Sequence, residues 1–300
     1  MTQSAATTAG IQPEESRQSV GLQLLLFQGV PLFGLALAGG LSVDHLGSIA
    51  AFLTASGLLF GHLVVLRQWG RRATNPPDLD PAGSTAAGRD VSADSALVLA
   101  MTLGLGALAA LAWISPGSLV MGAVLVALSA VYSHPRLDYR AWAPWPALSH
   151  FFAGGAQFLM GFAVVSPLNL PAYALGLYFA LALSAGYLLQ ELLERDTDLR
   201  SDAAGPVGLG PQGLFLVSAG LSGLSYAYVA GLATMAVVPQ AWTWLPLLAA
   251  PQLLAWGWAW STPLATADIR RYQTIYRLIF ASTAAFMLYD ILTMSPDGRL

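Results

Sequence analysis

The chain has 300 residues, of which 56% are hydrophobic and only 10% charged, with a mean hydropathy of +0.61. This excludes a soluble globular domain, in which about a quarter of residues are charged. The absence of cysteine removes disulfides, thiolate metal sites and cysteine nucleophiles, and a net charge of -3 gives no basis for a nucleic-acid partner.

Residues 1–18 are polar, carry Glu14, Glu15 and Arg17, and lack the basic start of a secretory signal, so they read as a tail. One membrane domain is expected over 19–294, followed by a short tail at 295–300. A bilayer core needs roughly 20 apolar residues per helical crossing. In chain order the candidate spans are Val20–Leu41, Leu46–Leu66, Ala96–Ile114, Leu119–Val131, Ala147–Val165, Ala172–Leu193, Leu214–Met235, Trp244–Trp260 and Thr274–Leu292. The fourth is short, and is either extended by its flanks or tilted. Uninterrupted apolar runs exclude a β-barrel, whose strands alternate between lipid and lumen. The expected fold is all-α: a polytopic membrane protein of about nine transmembrane helices around a central cavity.

Nine crossings sort the arginines, which are the only long basic residues in the chain. Arg17, Arg67, Arg71, Arg72, Arg89, Arg136, Arg140, Arg195, Arg200, Arg270, Arg271 and Arg277 fall on or near one side, and Arg299 alone falls opposite. By the positive-inside rule the first side is cytoplasmic, with the N-terminus there and the C-terminus across the bilayer. Most acids lie on that side too. Insertion accounts for the arginines; acids beside them suit a polar cavity for an anionic or metal-bound ligand.

After span 4, Tyr132-Ser133-His134-Pro135-Arg136-Leu137-Asp138-Tyr139-Arg140 places Arg136 and Arg140 where guanidinium groups could clamp phosphate oxygens. Pro135 as a helix stop and ordinary juxtamembrane arginines explain the same residues. After span 6, Glu191, Glu194, Asp198 and Asp202 fall within roughly 80° of one another on a helix turning about 100° per residue. Stacked like charges repel, and a divalent cation would relieve them. Hard oxygen ligands suit Mg²⁺. A solvated helix end with Arg195 and Arg200 as local partners is the alternative.

These segments together resemble the UbiA superfamily of intramembrane prenyltransferases, over about Leu22 to Leu292. Tyr132-Ser133-x-Pro135 with Arg140 is similar to the element ending the family's fourth helix. Asn75-Pro76-Pro77 with Gly88-Arg89-Asp90-Val91-Ser92 is similar to its loop after helix 2, with extra residues between. Asp198-x-x-x-Asp202-Ala203-Ala204-Gly205 is similar to its second Asp-rich motif, although one acid expected upstream falls at Arg195. The resemblance implies nine helices around a cavity that takes a prenyl diphosphate, Mg²⁺ and a lipophilic, commonly aromatic, acceptor within the lipid bilayer, here the bacterial inner membrane. It assigns Asp198 and Asp202 to catalysis, and Glu191, Glu194, Asp198 and Asp202 to the metal.

The first Asp-rich motif of the family has no counterpart. The end of helix 2 reads Phe60-Gly61-His62-Leu63-Val64-Val65-Leu66-Arg67-Gln68-Trp69-Gly70-Arg71-Arg72, without an acid in any register. Arg67, Arg71 and Arg72 are expected to bind diphosphate in place of a metal, with Tyr132, Arg136 and Arg140. Pairing of the same arginines with the acidic stripe would instead close an inert cavity. Three readings follow: prenyl transfer, cyclisation of a prenyl diphosphate, or a non-catalytic membrane role. His62 and His150 read as helix-packing or hydrogen-bonded residues. The tryptophans Trp242, Trp244, Trp256, Trp258 and Trp260 read as interfacial anchors, and Arg270, Arg271, Tyr272 and Tyr276 as rim residues.

Overall fold

The computed structural model describes residues 28–74, 93–134, 145–197, 210–261 and 265–293. Among the described residues it contains α-helices and short 3₁₀ turns, with no strand. The helices are α1 (Gln28–Leu37), α2 (Leu46–Thr74), α3 (Ala93–Ile114), α4 (Pro116–Ser133), α5 (Trp145–Phe162), α6 (Leu170–Thr197), α7 (Pro211–Thr234), α8 (Leu245–Ser261) and α9 (Thr266–Thr293). Six of them, α2, α3, α4, α6, α7 and α9, are long and apolar enough to cross a membrane by length and composition. The expected tails at 1–18 and 295–300 lie outside the described residues.

Two sequence-read spans are too short. α2 continues to Thr74 and α9 begins at Thr266, eight residues beyond the apolar run in each case. Arg and Asp end an apolar run, but they do not break a helix; only the missing N–H of Pro or the freedom of Gly does that. α4 extends on both sides of its apolar stretch. Ser115 starts it by accepting the Ser118 N–H at 3.0 Å, with Pro116 in the first turn, where a missing donor costs nothing. Asn169 starts α6 in the same way, its side chain accepting the Ala172 N–H at 2.9 Å.

Among the described residues the interior has three clusters of buried side chains, two of which meet at α1. On one side Leu35 of α1 packs with Phe52, Ala55 and Leu59 of α2, Ala107 and Leu111 of α3, Leu125 of α4 and Met160 of α5. On the other, Val30, Phe33 and Leu37 pack with Phe158, Phe179, Tyr226 and Met287. α1 reaches this position because α5 lets its backbone in. A Cβ on Gly161 would collide with the Pro31 carbonyl, and one on Gly34 with the Phe158 carbonyl. Backbone approach of this kind replaces the hydrophobic drive that lipid cannot supply between helices.

Trp242 departs from the anchoring role. It is fully buried, and its indole N–H donates to Asp290 of α9 at 2.9 Å. Its bulk is needed to fill the gap between the α7–α8 connection and α9. Trp244 and Trp258 are exposed as expected. The side chains of Trp256 and Trp260 lie outside the described set.

Candidate functional site

Contacts place the ends of α2, α4 and α6 and the starts of α5, α7 and α9 at one end of the bundle. Gly70 of α2 lies against the Ser133 carbonyl of α4, a contact that any Cβ would forbid. Trp69 meets His134 edge-on, with centroids 6.3 Å apart. Gln273 of α9 donates to Gln190 of α6 at 2.8 Å, and the rings of Phe215 and Tyr272 meet at 4.5 Å. This is the end that carries the arginines.

At its centre α4, α5 and α6 converge on four side chains. Tyr187 donates to the Glu191 carboxylate at 3.1 Å and shares a hydrogen bond with Tyr132. His150 stacks on the Tyr187 ring at 3.7 Å and 19°, and meets Tyr132 edge-on at 5.8 Å. All four are partly buried. The structure thus brings together two sequence-read candidates, Tyr132 and Glu191, from segments far apart in the chain.

Tyr187 was missed at the sequence level, although a signal exists. It lies four residues before Glu191, on the same helical stripe as Glu194 and Asp198. His150, read as a hydrogen-bonded or packing residue, does pack, and it packs on that tyrosine.

Arg67 lies one turn before Gly70 on α2. It is partly buried, and its Nε is buried with no hydrogen-bond partner among the described residues. Ser56, also buried with an unpartnered hydroxyl, lies on the same stripe of α2 three turns earlier. A buried donor left unpaired costs about 1–3 kcal/mol, so the Nε of Arg67 has the chemistry of a group that an anion completes. The backbones of Arg71, Arg72 and Glu194 continue their helices, but their side chains lie outside the described set. Arg136, Arg140, Asp198, Asp202 and the loop from Asn75 to Ser92 lie outside the described residues altogether.

His62 has a structural role. It is 1% exposed, with Nδ1 at 2.8 Å from the Ala100 carbonyl of α3 and Nε2 at 2.9 Å from the Ser129 hydroxyl of α4. A carbonyl only accepts, so Nδ1 carries the proton and Nε2 is left to accept from Ser129, in competition with the Val126 carbonyl at 2.8 Å from the same hydroxyl. Gly104 gives the imidazole room against α3. His62→Leu keeps the apolar contact and loses both interhelical bonds. The expected cost is about 1–2 kcal/mol, read as a fall of a few degrees in thermal unfolding in detergent. Unchanged stability would contradict the bridging role.

Of the four acids read as Mg²⁺ ligands, only Glu191 has a described side chain; its carboxylate is a hard oxygen donor of the kind Mg²⁺ takes. The helix is unbroken through Thr197 and carries the backbone of Glu194 one turn further, and among the described residues no group of three His, Cys, Asp or Glu side chains could hold a metal ion.

No protein-family model matches the chain, and no curated protein sequence matches it. Solved structures do. A digeranylgeranylglyceryl phosphate synthase superposes with a TM-score of 0.69 at 13% identity, covering 91% of this chain and 95% of that one. A UbiA homologue from Archaeoglobus fulgidus bound to DMAPP and Mg²⁺ gives 0.63 at 16%, covering 91% and 98%. A structure of a UbiA homologue from the same organism with GPP and Mg²⁺ gives 0.62 at 14%, covering 89% and 98%. With nine helices among its described residues, matched over nine-tenths of its length, the chain shares the fold of these UbiA homologues.

Proposed function

We propose that the protein is a UbiA-type prenyltransferase that moves a prenyl group from a prenyl diphosphate to an aromatic or other lipophilic acceptor. The observation that carries this reading is Arg67, a partly buried arginine whose Nε is buried with no hydrogen-bond partner among the described residues, at the end of α2 beside the α4–α6 mouth. Arg67, with Arg71 and Arg72 further along the helix, would hold diphosphate oxygens in place of the metal ligands that the family carries there. Tyr132, Arg136 and Arg140 would bind the same group from the α4 side.

Glu191, Glu194, Asp198 and Asp202 would hold Mg²⁺, which supplies charge neutralisation to the departing diphosphate when bound. Tyr187 and Tyr132 fix the Glu191 carboxylate in place. The bond from the prenyl C1 to the diphosphate oxygen breaks, a bond from C1 to the acceptor forms, and the acceptor loses a proton. The related structures hold GPP or DMAPP with Mg²⁺, which supports the substrate class. By the positive-inside rule the arginine-bearing side is then cytoplasmic, in what we read as the bacterial inner membrane.

The test is diphosphate release by the purified protein across a panel of prenyl diphosphates, with and without Mg²⁺ and aromatic acceptors. The expected result is release that needs both. Release without an acceptor would mark a cyclase, and release under no condition would mark a non-catalytic protein.

A further inference from the structure

A second polar site lies on the far side of α6 from the mouth. A cavity of about 190 Å³ between α7, α8 and α9 is lined by Phe215, Ala255, Trp258, Asp268, Arg271, Tyr272 and Ile275. Tyr272 is only 3% exposed, and its buried hydroxyl has no hydrogen-bond partner among the described residues. Asp268 and Arg271, one turn apart, form no ion pair among the described residues. The cavity thus presents one acid and one base against an aromatic wall, with no ion pair between them among the described residues.

α6 separates this cavity from the mouth. Leu189 and Leu192 pack with Phe215 and Tyr272, whereas Tyr187 and Glu191 meet α4 and α5. The cavity instead opens outward past Trp258, which is 53% exposed, and Arg271, which is also exposed. Its depth in the bilayer follows from helix length. The 27 residues Ala267–Thr293 span about 40 Å at 1.5 Å each, some 10 Å more than the hydrocarbon core. The first turn of α9, with Asp268 and Arg271, therefore stands at headgroup level.

We propose that this cavity binds the headgroup of a zwitterionic phospholipid. Three aromatic rings with one carboxylate form a cation site, and Phe215, Trp258, Tyr272 and Asp268 provide it for the ammonium. Arg271 provides donors for the phosphate. A purely anionic headgroup would meet Asp268 without compensation, which is why the ligand carries both signs.

The experiment is native mass spectrometry of the full chain, delipidated in detergent and titrated with phosphatidylethanolamine, phosphatidylcholine or phosphatidylglycerol of identical acyl chains. Prenyl turnover plays no part in the readout. One saturable site is expected for at least one zwitterionic lipid, about fivefold or more tighter than for phosphatidylglycerol. Asp268→Asn and Arg271→Gln each weaken it by about three- to tenfold, and Arg277→Gln, on the same helix but outside the cavity lining, leaves it unchanged. Thermal unfolding of each variant confirms its fold. Equal retention of phosphatidylglycerol, or wild-type binding by folded Asp268→Asn and Arg271→Gln, would overturn the proposal.

Discussion

Asp198→Ala or Asp202→Ala is expected to lower turnover of a prenyl diphosphate by about 10²–10³-fold, the usual cost of removing one preorganised group that stabilises developing charge. The same variants should leave thermal stability unchanged or slightly raised. The reason is the geometry of α6. Its helix is unbroken through Thr197, and the sequence spacing of Glu191, Glu194, Asp198 and Asp202 is one at which like charges repel on a helix, at a few tenths of a kcal/mol per pair. A carboxylate retained against that repulsion serves a ligand rather than the fold. Steady-state turnover and thermal unfolding, measured on the same preparations, separate the two effects. Unchanged turnover would remove the acidic stripe from the mechanism.

Arg67→Gln is expected to raise KM for the prenyl diphosphate by about 10- to 100-fold, the equivalent of one or two charge-assisted hydrogen bonds at about 1.5–3 kcal/mol. Arg67→Lys should recover part of this, because an ammonium keeps the charge and loses the planar fork. The apo protein should tolerate Arg67→Gln without loss of stability, since the buried Nε has no partner to lose among the described residues. A fall in stability with KM unchanged would mean that the guanidinium holds the fold together, as in an inert cavity closed by its own charges.

Much of the fold is legible in the sequence because the bilayer imposes a length on each apolar run. The charged helix ends were not legible in that way. α2 and α9 run on through arginines that end the hydropathy signal without ending the helix, and this extension carries Gly70 to Ser133 and Asp268 and Arg271 to the α7–α8 side. Trp242 was misread for a related reason. Composition places tryptophan at interfaces, and only tertiary structure brings Asp290 within reach of its N–H.

At the mouth, the spacing of Glu191, Glu194, Asp198 and Asp202 gave the stripe, and the same spacing extended one turn back reaches Tyr187. What spacing could not give is the partner from another helix. The stacking of His150 on Tyr187, and the approach of Tyr132 to both, depend on how α4, α5 and α6 meet. Arg67 was named from the sequence for its charge; the structure adds that its Nε is buried without a partner.

The central claim is that this fold transfers a prenyl group although α2 carries arginines in place of acids. Mass spectrometry of the lipid extract after incubation with a prenyl diphosphate, Mg²⁺ and aromatic acceptors tests it most directly. The expected product has the mass of acceptor plus prenyl group less one hydrogen, and is absent with the Asp198→Ala/Asp202→Ala double variant. A hydrocarbon or alcohol of the prenyl group alone, or equal product from the double variant, would contradict the account.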